Sequence, residues 1–457
     1  MLAEPWPTAA GCRARRSAGR EGRPLSPDAP GRAPIEDRLA AAGLPPLPRS
    51  AWLEIDLDAI TANFGIAREL AGAGVRVEPV VKADAYGHGM VPVARALAAA
   101  GADGLCVATL DEALALREAG VAGRLTVLYP VPPALARAAA QAAIAVAAGD
   151  PSLLAALLAR ADQDAPPLEI ELEIETGLGR GGVAVDAAAD AARAIAAAPG
   201  CRLAGVWTHM QAVEDAPRTA AQVRRFDAAL AAIEAAGVSV SRRHVAASTS
   251  LLTGEVPVYD AVRPGLMTYG LIPDELEGSA LVAAAGRLRP VMSLVARPVR
   301  VVQLQPGHGI SYGPTFETGR PSRIATLPLG YGDGWPRSLS NRAEALVRGI
   351  RAPLVGNVAM DAVMADVTDV PGAPVDVDDE FVLLGRQGAE SITASDLARA
   401  RTTNSWEIVT SMSRRLTRVY DAGAGVVDLR TLTSLENRWL GSNSGTGTSA
   451  TSRSTRS

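Results

Sequence analysis

The sequence predicts an α/β protein: an N-terminal (β/α)8 TIM-type barrel followed by a C-terminal, mostly antiparallel β domain. Three observations carry this expectation. Eight short strand-like strings alternate with Ala-rich helical stretches before residue 264. Beyond residue 286 the texture changes to apolar runs punctuated by Pro and Gly, the pattern of strands joined by short turns. At 457 residues the chain is also longer than one ordinary domain, which leaves room for a barrel and a second core.

Residues 1–48 mix Arg, Pro, Gly and Ala without periodicity, as in RARRSAGREGRPLSPDAPGRAP, and are expected to form a solvated tail. The barrel is placed over 49–286, with an opening strand at Leu53–Leu57. Its eight repeating units are VVKAD, LCVAT, LTVLY, IAVAA, IELEIE, GVWTH, RHVAA and a short one before Arg263. The alternation alone fits a doubly wound sheet as well as a closed barrel, so the motifs must decide. The β domain is expected over 287–432, on strings such as VMSLVARPVRVVQLQPGHGISYGPTF and AEALVRGIRAPLVGNVAMDAVMADV. From residue 433 the chain runs into NSGTGTSATSRSTRS, read as a second flexible tail.

Composition narrows the function classes. Hydrophobic residues make up 48% of the chain and aromatics 4%, so the cores must be packed with Ala, Val and Leu. A net charge of −4 offers no basic field to steer the chain onto nucleic acid. Cys12, Cys106 and Cys201 lack metal-ligand spacing and read as free thiols of a reducing compartment. Neither a bilayer-spanning apolar run nor a signal-peptide core is found, so the cytoplasm is the expected location and no membrane partner is expected.

The chemistry concentrates in a few strings. PVVKADAYGHG sets Lys82 at the end of an apolar strand before a polar, Gly-rich turn. A lysine there is open to two readings, a snorkelling surface residue or a partly desolvated amine with a lowered pKa that can attack an aldehyde. Arg180 in TGLGRGG, His209 ending GVWTH, Ser248, and Arg263 and Gly265 in RPG each admit an ordinary surface, structural or loop reading when taken alone.

Taken together they do not. VVKADAYGHG, TGLGRGG at 176–182, THM at 208–210, RPGLMTYG at 263–270, SYG at 311–313, GYGDGW at 330–335 and GNVAMD at 356–361 occur in the order found in one family. From about Trp52 to Tyr420 the chain resembles the alanine racemases, fold-type III enzymes that use pyridoxal 5'-phosphate. That resemblance implies a cofactor-binding barrel followed by a β domain. It implies that Lys82 holds the cofactor covalently, Tyr86 contacts its phosphate, and Ser248, Gly265 and Leu266 complete the phosphate cradle. These fall after the last two barrel units, where barrels commonly bind phosphate. Arg263 would face the pyridine nitrogen and, being permanently charged, disfavour its protonation. His209 would link Tyr312 to Arg263 and help the phenol serve as a base. Arg180 would bind the substrate carboxylate and the cofactor's phenolic oxygen.

Racemisation requires a proton carrier on each face of a planar carbon. The resemblance assigns these roles to Lys82 and Tyr312, with Tyr312 delivered by a partner subunit, and it implies a homodimer with composite active sites. Met360 and Asp361 would reach the partner's site, and Tyr331 would line the substrate's path. The implied reaction interconverts L- and D-alanine, for peptidoglycan or for specialised metabolism. The alternatives are a broader or serine-preferring racemase and a non-catalytic cofactor-binding protein.

Three positions depart from the family. Glu173 stands seven residues before Arg180, where many alanine racemases have a carbamylated lysine that anchors this arginine; a built-in carboxylate is expected to take over that task. Ala247 replaces a frequent asparagine of the phosphate site. Trp406, in SWEIV, replaces a tyrosine beside the cofactor.

Overall fold

The computed structural model describes residues 33–423 and 425–433. Eight strands form one parallel sheet: β2 (Arg76–Val77), β3 (Gly104–Val107), β4 (Arg124–Val127), β5 (Ile144–Ala148), β6 (Leu168–Glu173), β7 (Cys201–Trp207), β8 (Arg243–Ala247) and β9 (Ala261–Arg263). β2 pairs with β9, and the order then runs back through β8 to β3. The ring closes just past β2, where Val80 bridges Cys106. There Val81 N donates to Cys106 O (2.8 Å) and Cys106 N to Pro79 O (2.9 Å). A barrel, not an open doubly wound sheet, is therefore the arrangement adopted.

The helices between strands follow from their sequences. Helix Ala216–Ala235 starts where Asp215 caps Arg218 N (3.0 Å) and Pro217 occupies the first turn, and it buries Gln222, Phe226, Ala229, Leu230 and Ile233 at helical spacing. Helix Leu57–Ala71 is likewise capped by Asp56 on Ala59 N (2.7 Å).

Inside the barrel the pattern is unusual. Along β6 the residues Leu168, Ile170 and Leu172 are buried on one face, while Glu169, Glu171 and Glu173 share the other. Glu171 meets Arg124 of β4 and both Arg242 and His244 at β8, and Arg242 meets Glu78 beyond β2. Those strands are not neighbours, so the contacts can only cross the lumen. Alternate strands of a barrel normally supply one layer of branched apolar side chains; here one such layer is charged. Every uncompensated ion there would cost several kcal/mol, about the stability margin of many domains, and alternation of sign is what makes the layer tolerable.

The remaining strands build a second sheet: β10 (Met292–Ala296), β11 (Arg300–Leu304), β12 (Ser322–Leu327), β13 (Glu344–Val347), β14 (Ile350–Val355), β15 (Val363–Asp366), β16 (Phe381–Gln387), β17 (Glu390–Ile392), β18 (Thr417–Ala422) and β19 (Gly425–Arg430). Its order is β11-β12-β15-β14-β13-β16-β10-β1-β18-β19, where β1 is Ala51–Asp56, with β17 on β16. Pairing is antiparallel except between β1 and β18.

Three expectations are corrected. The opening strand, β1 (Ala51–Asp56), belongs to this second sheet between β10 and β18, not to the barrel. Its Trp52, Leu53 and Ile55 are buried, both its edges are paired, and the barrel closes through Val80 and Cys106 without it. The tail expected over 1–48 ends earlier: Ile35–Ala41 is a helix with Ile35 and Leu39 buried, and Arg38 pairs with Glu54 (3.0 Å) and Asp421 (2.7 Å). Residues 1–32, and the C-terminal tail beyond 433, lie outside the described residues. Finally, VVKAD is not strand throughout; the strand lies at Arg76–Val77 and the chain turns at Lys82.

Candidate active site

Lys82, Arg180, His209, Ser248 and Arg263 all lie at or just past the C-terminal ends of barrel strands. In a parallel barrel these ends share one mouth, so residues spread over nearly two hundred positions are gathered by topology alone.

Lys82 enters a left-handed turn. Ala83, Asp84, Ala85 and Tyr86 have φ of 53°, 55°, 56° and 51°. Each such residue costs about 1–2 kcal/mol relative to the right-handed form, so the turn must be held from outside. Ala83 N donates to Glu112 (2.6 Å), Arg430 donates to Asp84 (2.9 Å), Asp84 accepts from Met90 N (2.8 Å), and His88 Nδ1–H donates to Ala85 O (2.9 Å). Gly87 is required by contact: a Cβ there would lie 2.2 Å from Val409 O. The outcome is a half-buried amine at the barrel mouth. Among the described residues no hydrogen bond or ion pair engages it, and burial, then the charge of Arg180, lowers its pKa.

The turn that carries it faces a small polar cradle through Tyr86. Ser248 Oγ accepts from Gly265 N (2.8 Å) and Met267 N (3.2 Å), joining the start of helix Ser248–Thr253 to the 3-10 turn Leu266–Tyr269. A Cβ on Gly265 would sit 2.9 Å from Tyr86 Oη, so residue 265 must be small for backbone and phenol to face one space. Burial pushes the Tyr86 phenol up to about 12, keeping it a hydrogen-bond donor. An amine nucleophile beside hydroxyl and backbone donors fits an aldehyde that carries a phosphate. Ala247 precedes the helix without a side-chain cap. Trp406 is half-buried in helix Ser405–Thr410, the helix whose Val409 abuts Gly87 behind the lysine turn.

Arg263 is 2% exposed and stacks over Trp207, its guanidinium carbon 4.8 Å from the ring centroid. It donates to Thr208 O (2.9 Å), to His244 O (3.0 Å) and to His244 Nδ1. The imidazole bonded to Arg263 is thus His244, not the expected His209. His209 lies near enough for Arg263, Arg180 and Lys82 to act on it, and burial first, then those three cations, push its pKa down to about 3. His88 is pushed down to about 4, chiefly by burial.

These two shifts carry a pH dependence. Between the folded values and about 6.5 the unfolded chain binds more protons, so the histidine contribution to stability is complete above pH 6.5 and is lost as pH falls towards about 4 and then about 3. We expect the His88 and His209 ring resonances to stay in the neutral form down to pH 5, while the unfolding midpoint already falls as pH drops below about 6.5. Either ring titrating with a midpoint near 6.5 would contradict this.

Arg180 approaches Glu173 (3.6 Å) and lies over Tyr129, 5.4 Å from its ring centroid. Glu173 is buried, which raises its carboxyl pKa; Arg180 and Arg263 pull it back. The expected carboxylate–guanidinium pairing is thus present in geometry. Replacing Glu173 by Gln should raise KM for an amino-acid substrate about tenfold and speed cofactor loss, the equivalent of about 1.4 kcal/mol; unchanged values for both would exclude an anchoring role.

The β domain brings its own motifs together. Asn357 Nδ2 donates to Tyr312 O (2.9 Å) and Gly313 O (3.0 Å), and Ser311, at φ 66°, donates to Asn357 O (2.6 Å). Tyr331 N donates to Ala359 O (3.0 Å) and Gly332 N to Met360 O (2.9 Å). Asp361 accepts from Arg415 (2.6 Å). SYG, GYGDGW and GNVAMD thus form one surface, on which Tyr312 is 78%, Met360 51% and Tyr331 45% exposed. Side chains of this kind are normally buried. No bond joins Tyr312 to Lys82 of its own chain among the described residues.

A polar barrel mouth and a β sheet that turns its aromatics outward define a class, the two-domain barrel enzymes that act on small molecules at the strand ends. Family models for the alanine racemase N-terminal domain and C-terminal domain match residues 55–273 and 291–420. The chain belongs to the alanine racemase family, a family of isomerases. It is 41% identical over 374 residues to alanine racemase of Symbiobacterium thermophilum, covering 81% of this chain and 97% of that one. The figure is 40% over 375 residues for alanine racemase of Thermobifida fusca, covering 81% and 98%. Among solved structures, alanine racemase of Bacillus anthracis with bound L-Ala-P superposes with a TM-score of 0.80 at 33% identity, covering 85% of this chain and 100% of that one. The enzyme of D-cycloserine-producing Streptomyces lavendulae gives 0.75 at 37%, covering 83% and 98%.

Proposed function

We propose that the protein is a pyridoxal 5'-phosphate-dependent alanine racemase that interconverts L- and D-alanine and supplies D-alanine for peptidoglycan. The observation that carries this reading is the half-buried, unengaged Lys82 amine on a turn whose Tyr86 faces the Ser248–Gly265 cradle. Lys82 would hold the cofactor, Tyr86, Ser248, Gly265 and Leu266 its phosphate, Arg263 and His209 its ring side, and Trp406 would close the phosphate end. When bound, the cofactor acidifies the α-hydrogen of the attached amino acid.

This chain's residues do the rest. Arg180, braced by Glu173, orients the substrate carboxylate. Lys82 Nζ moves the proton on one face and Tyr312 Oη on the other, since a single base would return it to the side it left. Tyr312, clamped by Asn357 and exposed in one chain, comes from a partner subunit, as do Met360 and Asp361, with Tyr331 beside the substrate's path. The working assembly is a homodimer in the cytoplasm.

Incubating purified holoenzyme with L-alanine in deuterated water tests the reading. Loss of optical activity with deuterium at the α-carbon is expected; a fully loaded cofactor without exchange would leave only a binding protein. The uncapped Ala247 and the bulk of Trp406 favour one alternative, a serine-preferring enzyme. Parallel turnover of L-serine decides it, and a tenfold preference for serine would displace alanine as the substrate.

A further inference from the structure

We infer that Glu171 is a positioning residue for Arg263: through His244, it fixes the hydrogen-bonding state that holds the guanidinium in place. The inference rests on the reading above only for its effect on racemisation; the hydrogen-bond logic stands on the barrel lumen alone.

His244 is wholly buried and lies flat against Trp207, with 5.9 Å between ring centroids and 6° between planes. Charged groups address it from three sides. Arg263 Nη1, from β9, points at Nδ1. Arg242 Nη1, two residues before it, lies 2.8 Å from Nε2, and Glu171 Oε2, from β6, lies 2.9 Å from Nε2. A guanidinium donates and never accepts. Both arginines therefore seek a lone pair on the ring, but a neutral imidazole has only one. If Nδ1 kept the proton, it would face the donors of Arg263 without an acceptor. If Nε2 keeps it, the proton has Glu171 to receive it and Nδ1 is free to accept from Arg263. Burial, together with Arg242 and Arg263, holds the ring neutral.

The carboxylate is what separates these two tautomers. Glu171 is itself fixed: its Oε1 accepts from Arg242 Nη1 (2.6 Å) and from Arg124, and Arg242 is tied to Glu78. The chain Glu78–Arg242–Glu171–His244–Arg263 thus runs through the lumen to the mouth with alternating donor and acceptor roles. Replacing Glu171 by Gln keeps the shape and removes the discrimination. Arg242 and Arg124 would claim the amide oxygen, turning its NH2 towards Nε2 and shifting the ring proton to Nδ1, against Arg263.

The test is nitrogen NMR of full-length holoenzyme labelled at its four histidines, with His244 assigned from a His244→Asn sample. In the wild type, His244 should show a protonated Nε2 and an unprotonated Nδ1, unchanged from about pH 5 to about pH 9. In Glu171→Gln the Nδ1 signal should move to the protonated type, while kcat for alanine falls about tenfold and KM stays within about twofold. A wild-type ring protonated at Nδ1, or titrating near neutrality, overturns the inference even if the variant does not fold. So does a Glu171→Gln ring with the wild-type tautomer. Absence of alanine turnover in wild type with the expected tautomer would instead overturn the proposed function and leave this inference intact.

Discussion

Protomers carrying Lys82→Ala, mixed with protomers carrying Tyr312→Phe, should regain racemisation that neither variant has alone. On the proposed function, removing the Lys82 amine would delete both the cofactor anchor and one proton carrier, and the rate should fall at least about ten-thousandfold. Tyr312→Phe keeps the ring and removes only the hydroxyl, for a loss of about a hundred- to ten-thousandfold. If each site takes Lys82 from one subunit and Tyr312 from its partner, a mixed dimer has one site with both intact residues and one with neither. Random exchange makes half the dimers mixed, so about a quarter of wild-type activity returns. The exposure of Tyr312 motivates the experiment. The sample is unfolded lightly, mixed, refolded and assayed; recovery absent while size-exclusion chromatography reports dimers would mean that each site uses its own chain's tyrosine, or none.

Arg263→Lys should be the most damaging charge-conserving change. The guanidinium spans Thr208 O, His244 O and His244 Nδ1 at once while lying flat on Trp207. An ammonium on a flexible stem cannot reproduce that fork, and acceptors left unpaired in a buried site keep their full desolvation penalty. Two lost charge-assisted bonds correspond to about 3 kcal/mol of stability. Chemical denaturation should show this as a lower midpoint at unchanged slope, with racemisation reduced at least about tenfold. A midpoint equal to wild type would mean that His244 and Thr208 find other donors and that Arg263 is not seated as described.

Much of the fold is legible in the sequence alone. Lys82 at a strand end, the arginine before Pro-Gly and the switch from βα repeats to turn-separated strands are local patterns, and each has a local physical cause. What escaped the reading escaped for a reason. His244 sits inside RHVAA, a string that reads as one more barrel strand, and nothing near it in the chain marks it as the partner of Arg263 nineteen residues on. Glu171 is half of a visible signal: LEIELE alternates with period two, whereas a barrel strand buried on both faces should be apolar throughout. That alternation announces a charged lumen, but the partners of Glu171, which are Arg124, Arg242 and His244, are scattered over distant strands, and Glu78 joins only through Arg242. The left-handed turn after Lys82 was equally hidden, since Ala and Tyr have no preference for positive φ and adopt it only under the grip of Glu112, Arg430 and His88.

The order of the elements and the family to which they point are written in the chain, because periodicity, turn residues and short motifs act over a few positions. Tertiary structure alone decided that β1 crosses to the second sheet, that His244 rather than His209 holds Arg263, and that SYG, GYGDGW and GNVAMD share one exposed face. These outcomes depend on which distant groups can satisfy one another once water is excluded, and a one-dimensional pattern carries no record of that competition.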